Sequence, residues 1–243
     1  MKLSVVIPAF NEETRIGSSL EAVQNFLSAK GWDYELIVVD DGSSDKTQEV
    51  VKVHFHNDSY SKRLICNDGN RGKGYSVRRG MLEAQGECIL FTDADLSTPI
   101  QEVEKLMEVL SAGYDIAIGS RALVESQVVV HQNLLRELMG KVFNLIARLL
   151  TFKGIRDSQC GFKLFRKTVA HHLFSLQKID GFSFDAEIVY LAQKLGYRIK
   201  EVSILWSNSP ASKVQIFRDP VRMLRDLIRI RFYHLKDGDS KRS

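Results

Sequence analysis

Two aspartates one residue apart, Asp93 and Asp95, follow the apolar run "CILF" in the stretch "FTDADLSTP", residues 91–99. Carboxylates this close repel each other unless a cation or hydrogen-bond donors sit between them. Paired hard oxygens suit Mg²⁺ or Mn²⁺, ions that also bind phosphate oxygens. An isolated Asp-x-Asp is most often a turn with a helix cap. Here three similar polar stretches accompany it: "PAFNEE", "VVDDGSSD" and "CNDGNRGKG", each after an apolar run. Glu12, Asp40, Asp41, Asp68, Asp93 and Asp95 would then gather on one rim. The glycine-rich "GNRGKG" lacks the spacing and the Ser/Thr of a Walker A loop. It would let backbone approach a ligand, with Arg71 or Lys73 facing a diphosphate.

Such a rim requires strands that end together. "LSVVIPA", "YELIVVD", "RLICN", "ECILFTDAD" and "YDIAIGSR" read as strands, and helical spacing separates them. Over residues 12–29, Ile16, Leu20, Val23 and Leu27 recur on one helix face. "NRGKGYSVRRGMLEAQG" is a loop running into a helix, and "PIQEVEKLMEVLSAG" a helix with Pro99 near its first turn and Gly113 past its end. This alternation predicts an α/β domain with a mainly parallel, Rossmann-like sheet flanked by helices. Ligands in such folds sit at the carboxyl ends of the strands.

Beyond Arg121 the character changes. Residues 133–152 predict a long apolar helix and "GIRDSQCGFKLFRK" a turn-rich stretch. "FSFDAEIVYLAQKLG" reads as a helix, "RIKEVSILW" as one strand, and "RDPVRMLRDLIRIRFYHL" as a basic amphipathic helix. The expected division is a catalytic domain over 1–212, with a nucleotide half to about residue 121 and an acceptor half from 122, and a basic segment over 213–243.

At 243 residues the chain can bury a large core, and its 44% hydrophobic and 26% charged content is that of a globular protein. A net charge of +4 is too small to imply nucleic acid. From Lys213 onward nine Lys/Arg face four Asp, which points to an anionic partner or surface. Cys66, Cys88 and Cys160 lack metal or redox spacing and are expected to be buried, reduced thiols. Pro8, Asn11 and Glu12 interrupt the first apolar run too early for a signal peptide, and no stretch reaches the length of a membrane span.

In this order and spacing, "VVIPAFNEE", "LIVVDDGSSDKT", "NRGKGYSVRRGM", "FTDADLSTP" and "IAIGSR" resemble the family 2 glycosyltransferases of GT-A fold. "RDSQCGFKLFRK" and "SKVQIFRDPVRMLRDLIRIR" resemble the branch acting on polyprenyl or dolichyl phosphate, and "DSQCGFKLF" its glucosyl-transferring members. The resemblance implies a nucleotide-sugar donor lined by Pro8, Ala9, Asn11 and Glu12, with Asp40 and Asp68 at base or ribose. It places Asp93 and Asp95 on a Mg²⁺ or Mn²⁺ ion. Many relatives carry Gln two residues beyond the second Asp; here Ser97 stands there, and its hydroxyl or a water would replace the amide oxygen. Lys73 belongs to the donor site, and Gln159 joins it at the sugar. Arg121, Arg136 and Lys213 match the residues for the acceptor phosphate. Asp95, Arg121 and Asp157 form the expected catalytic set. Asp157 is a general base if the acceptor is a hydroxyl, and orients sugar or arginine if it is a phosphate.

The implied reaction is an inverting hexose transfer, glucose from UDP-glucose, to a lipid phosphate. Mannose from GDP-mannose and a hydroxyl acceptor are the alternatives within the family. A nucleotidyltransferase on a similar core and a degenerate binding subunit are the alternatives outside it. A lipid acceptor with no membrane span predicts peripheral attachment on the cytoplasmic face, through residues 133–152 and 220–235, aided by a membrane protein or a homo-oligomer.

Overall fold

The computed structural model describes residues 2–55, 61–130, 142, 144–148, 150–207 and 219–235. Nine strands and seven helices have defined bounds among them. The strands are β1 (Leu3–Ala9), β2 (Tyr34–Asp40), β3 (Lys62–Cys66), β4 (Cys88–Thr92), β5 (Ile116–Ser120), β6 (Gln127–Val130), β7 (Phe162–Arg166), β8 (Ile199–Ser203) and β9 (Leu205–Ser207). The helices are α1 (Ile16–Ala29), α2 (Thr47–His54), α3 (Lys73–Glu83), α4 (Val103–Ser111), α5 (Lys167–Leu176), α6 (Phe184–Lys194) and α7 (Asp219–Tyr233).

Seven strands form one sheet in the order β3-β2-β1-β4-β7-β5-β8, and β6 pairs with β9 in a second, two-stranded sheet. β1, β2, β3 and β4 run parallel to one another, as do β5 and β8. The continuous apolar runs are explained by cover on both faces. Val5 and Ile7 of β1 join a cluster with Ile16, Leu20 and Val23 of α1 and Leu106 of α4. Val6, one residue between, joins Val77 and Met81 of α3 and Phe174 of α5 on the opposite face. The alternation of side chains along a strand thus builds two core layers from one sequence run.

Three expectations need correction. The stretch with a turn-rich sequence contains β7, which pairs antiparallel with both β4 and β5 inside the sheet. Its pattern hid it, because Lys163 interrupts the apolar run yet is buried, 1% exposed. "RIKEVSILW" is not one strand: the chain leaves the main sheet after Ser203, and β9 turns to pair with β6. Cys66 is exposed at the end of β3, whereas Cys88 and Cys160 are buried. Residues 144–148 are helical, within the predicted 133–152; residues 131–141 lie outside the described residues. Among the described residues no helix is long and apolar enough to cross a membrane.

Candidate active site

The carboxyl ends of β1, β2 and β4 place their polar turns side by side. After β1 the chain turns at Asn11, whose φ of 54° is in the left-handed region that Asn tolerates. The Asn11 amide donates to Ser43 Oγ (2.9 Å), and its Oδ1 accepts from the Ser44 amide (2.8 Å). The Glu12 amide donates to Thr47 Oγ1 (2.7 Å). These bonds lace the turn after β1 to the turn after β2.

The two aspartates after β2 do different work. Asp40 is fully buried; its Oδ2 accepts from the Ser43 amide (3.1 Å) and Gln48 Nε2 (2.7 Å). Its Oδ1 is buried with no hydrogen-bond partner among the described residues, an acceptor that calls for a donor. Asp41 is filled: Oδ1 accepts from Asn67 Nδ2 (2.8 Å) and the Arg71 amide (2.9 Å), and Oδ2 from the Gly72 amide (2.8 Å). Asp41 therefore pins the glycine-rich loop rather than facing ligand. Gly42 has a φ of +72°, and a side chain there would overlap the backbone of Gly69. Asp68 is exposed in that same turn after β3.

Asp93 and Asp95 follow β4, half-buried, each with a cation beside it. Lys73 Nζ, at the first residue of α3, is 2.6 Å from Asp93 Oδ1. Burial would lower the Lys73 pKa, but Asp93 and then Asp185 outweigh it and hold the ammonium above its ordinary value. Arg15 forks onto the Glu12 carboxylate and reaches Asp95 Oδ2 at 3.8 Å. The Ser97 amide donates to Asp95 Oδ1 (3.0 Å), and the Ser97 carbonyl accepts from the Ser207 amide (2.8 Å). Gly161 lies directly on Asp93: its carbonyl accepts the Asp93 amide (3.1 Å), and a Cβ there would overlap the Asp93 carboxylate.

Gly161 also ends the loop that carries Asp157 and Gln159, and so joins the acidic pair to a second charged group. Asp157 Oδ2 accepts from Arg121 Nε (2.7 Å) and the Arg121 amide (2.9 Å), and Oδ1 from Nη2 (2.8 Å). This bidentate fork fixes the guanidinium plane. Burial pushes Asp157 up, but Arg121 overrides it and holds the carboxyl below its usual range. The Arg121 pKa is raised in return, against its own desolvation. The guanidinium lies 5.4 Å over the ring of Trp206, which β9 carries. Glu201 holds the loop by accepting the Arg156 and Asp157 amides, each at 2.9 Å. Gln159 Nε2 is buried without a partner among the described residues.

Beneath this surface Lys163 of β7 pairs with Asp185 of α6, both almost fully buried, and also donates to the Cys160 carbonyl. Burial raises the Asp185 carboxyl pKa; Lys163 and then Lys73 oppose it. The Lys73 and Lys163 ammonium groups lie 5.4 and 5.7 Å from the centre of one ring, Phe91. Sequence reasoning missed Arg15, Lys163 and Asp185. The spacing of Glu12 and Arg15 by three is a signal for the first; nothing local pairs Lys163 with a residue 22 positions on.

The structure thus brings together Pro8, Ala9, Asn11, Glu12, Asp40 and Asp68 on one side, Lys73, Asp93, Asp95 and Ser97 in the middle, and Arg121, Asp157 and Gln159 on the other. Arg136 and Lys213 lie outside the described residues. Among the described residues no cluster of three acidic, His or Cys groups could hold a metal alone. The donor set fits a hard divalent cation nonetheless: two carboxylates one residue apart and half-buried at the strand ends, with coordination completed by phosphate oxygens or water.

Comparisons with known proteins identify the family and the fold. The glycosyl transferase family 2 model matches residues 4–174. A dolichyl-phosphate beta-glucosyltransferase from Dictyostelium discoideum is 37% identical over 96% of this chain and 75% of its own length. The protein of that name from Drosophila melanogaster is 38% identical over 95% and 74%. A crystal structure of glucosyl-3-phosphoglycerate synthase from Mycobacterium tuberculosis, in complex with Mn²⁺, UDP and glucosyl-3-phosphoglycerate, superposes with a TM-score of 0.68 at 20% identity, covering 94% of this chain and 78% of that one. That likeness establishes a shared fold, the GT-A type expected above. The chain is a glycosyltransferase: it belongs to glycosyl transferase family 2, in the group that holds the dolichyl-phosphate beta-glucosyltransferases.

Proposed function

We propose that this chain transfers glucose from UDP-glucose to a dolichyl or other polyprenyl phosphate, with inversion, giving a β-linked lipid-phosphate glucose. The names of its relatives support the substrates. The observation that carries the mechanism is the contact of Gly161 with Asp93, which sets the acidic pair and the Arg121–Asp157 pair on the two sides of one loop.

In this reading Pro8, Ala9, Asn11 and Glu12 line the nucleotide. The open Oδ1 of Asp40 accepts from the base or ribose, and Asp68 serves the same part of the nucleotide. Asp93 and Asp95, with Ser97, would hold Mg²⁺ or Mn²⁺, which when bound neutralises charge on the departing diphosphate. Lys73 adds a cation on the same side, and its ammonium stays charged across the neutral range. Gln159 Nε2 donates to a sugar hydroxyl.

The acceptor phosphate binds Arg121, joined by Arg136 and Lys213. Asp157 takes Nε and Nη2 of Arg121, so Nη1 is the nitrogen left for phosphate. A phosphate monoester with a second pKa of about 6 is mostly dianionic at neutral pH and needs no strong base. Asp157 is therefore a positioning residue here, since both of its oxygens accept from Arg121. One acceptor oxygen attacks the anomeric carbon as the bond to the diphosphate breaks; no proton has to move. Attachment is peripheral, on the cytoplasmic face of a membrane, through α7, with a membrane protein or a second copy as further support.

The test is transfer of label from UDP-glucose, with GDP-mannose as the rival donor, to a short polyprenyl phosphate in Mg²⁺ or Mn²⁺. An acid-labile, chloroform-soluble product from UDP-glucose, lost in Asp95→Ala, is expected. Product from GDP-mannose alone overturns the sugar. Product only with a hydroxyl acceptor overturns the lipid phosphate.

A further inference from the structure

The arginine-rich helix α7 is not the single apolar face its sequence suggests. Leu227 and Ile230 are fully buried against the domain, and Asp226 and His234 with them. Leu224, Ile228 and Phe232 point the other way, 40%, 50% and 68% exposed, and Leu235 continues them. Their spacing of four makes a stripe along one side of the helix.

Next to this helix lies an open cavity of about 380 Å³. Arg222 and Arg229 of α7 line it, facing Arg71 of the glycine-rich loop and Lys178 and Asp180 of the turn before α6; Asp226 completes the charged lining. The two carboxylates already have cations: Asp180 pairs with Arg78 (3.3 Å) and Asp226 with Arg229 (3.7 Å). Among the described residues neither Lys178 nor Arg222 makes an ion pair, and Arg71 lies over the ring of Tyr75. The cavity lining thus carries four cations, Arg71, Lys178, Arg222 and Arg229, against two carboxylates, and draws them from three separate segments.

We infer that this cavity takes the phosphate headgroup of an anionic bilayer lipid, while the Leu224–Ile228–Phe232 stripe enters the interface beside it. The inference rests on the peripheral attachment proposed above and adds where one headgroup sits, apart from the acceptor phosphate at Arg121. A free phosphate would satisfy the cations and leave the stripe in water. An amphiphile satisfies both, because a bilayer offers charged headgroups to the cavity and acyl chains to the stripe. Basic residues at an anionic leaflet and apolar side chains in the acyl boundary are the two terms of interfacial binding.

The test is flotation of the full chain with phosphatidylglycerol vesicles and with phosphatidylcholine vesicles. Two double variants carry the same charge change: Lys178→Glu with Arg222→Glu, inside the cavity, and Arg225→Glu with Arg231→Glu, exposed on α7 outside it. Circular dichroism and melting temperature check that both fold. Binding to anionic vesicles only is expected, with about a tenfold or greater loss in the cavity pair and a smaller loss in the outer pair. Equal losses overturn the headgroup site and leave diffuse attachment. Excess glycerol phosphate is expected to weaken vesicle binding in part, as the cavity pair does, and Phe232→Ser to weaken it as well; no effect of Phe232→Ser reassigns the cavity to a free phosphate, and no effect of excess glycerol phosphate overturns the headgroup site. No binding of the wild type to any vesicle overturns the site and the attachment together, while sugar transfer in detergent still judges the catalytic reading on its own.

Discussion

Gly161 has no room for a side chain because Asp93 occupies it, so its absent Cβ is part of the site. Gly161→Ala should displace the Asp93 carboxylate and lower transfer by about 100-fold, the scale of an ångström misplacement, with little change in melting temperature. Steady-state kinetics with a metal titration would show it as weaker metal dependence. Asp157 makes a different prediction, one of stability. Its folded pKa lies below the unfolded value of about 3.9, so its contribution is complete above that value and is lost as pH falls through the lower folded one. Asp157→Asn should cost about 2 kcal/mol near neutral pH, discounted because Arg121 keeps a quarter of its side chain in water. Urea melts at neutral pH and near pH 3 should show that difference shrinking in acid. At this scale Asp93 and Asp95 were legible because carboxylates ending an apolar run announce themselves. Arg15, Lys163 and Asp185 were not, because charge pairing across a fold leaves no local pattern.

At the scale of elements, the bond between β7 and α6 is the informative one. Lys163 and Asp185 are each nearly removed from water, so breaking the pair leaves a stranded charge. Lys163→Met should destabilise by about 3–5 kcal/mol, and Lys163→Met with Asp185→Leu should recover most of it. Equilibrium denaturation of the single and double variants checks this, and an equally unstable double variant would show that the pair does more than neutralise itself. The same lysine hid β7 from a reading of hydrophobic pattern. The strands with uninterrupted apolar runs, β1, β2 and β4, were legible for the converse reason. The break between β8 and β9 goes with the pairing of β9 to β6, strands about 75 residues apart in sequence, which a local hydrophobic pattern cannot carry.

Over the whole molecule, two core layers share one sheet, and α7 is held to them by its last turn. His234 lies fully buried against Glu187 of α6, whose Oε1 and Oε2 also accept the Lys178 and Ile179 amides (2.9 and 2.8 Å). One carboxylate thereby ties α7 to the turn that lines the basic cavity. His234→Ala should raise hydrogen exchange across Asp219–Tyr233 and leave that of Leu3–Ala9 unchanged; equal change in both would mean the tether supports the entire fold. The antiparallel strand at the centre has a consequence for how the chain is made. β4 and β5 are separated by β7, which leaves the ribosome more than 40 residues after β5. Any sheet formed by β1 to β4 before then would have an open, apolar β4 edge, and β5 would lack the strand it pairs with on that side. Translation of residues 121–161 is thus an interval in which that edge is exposed to other chains, and a pause there should favour aggregation over folding.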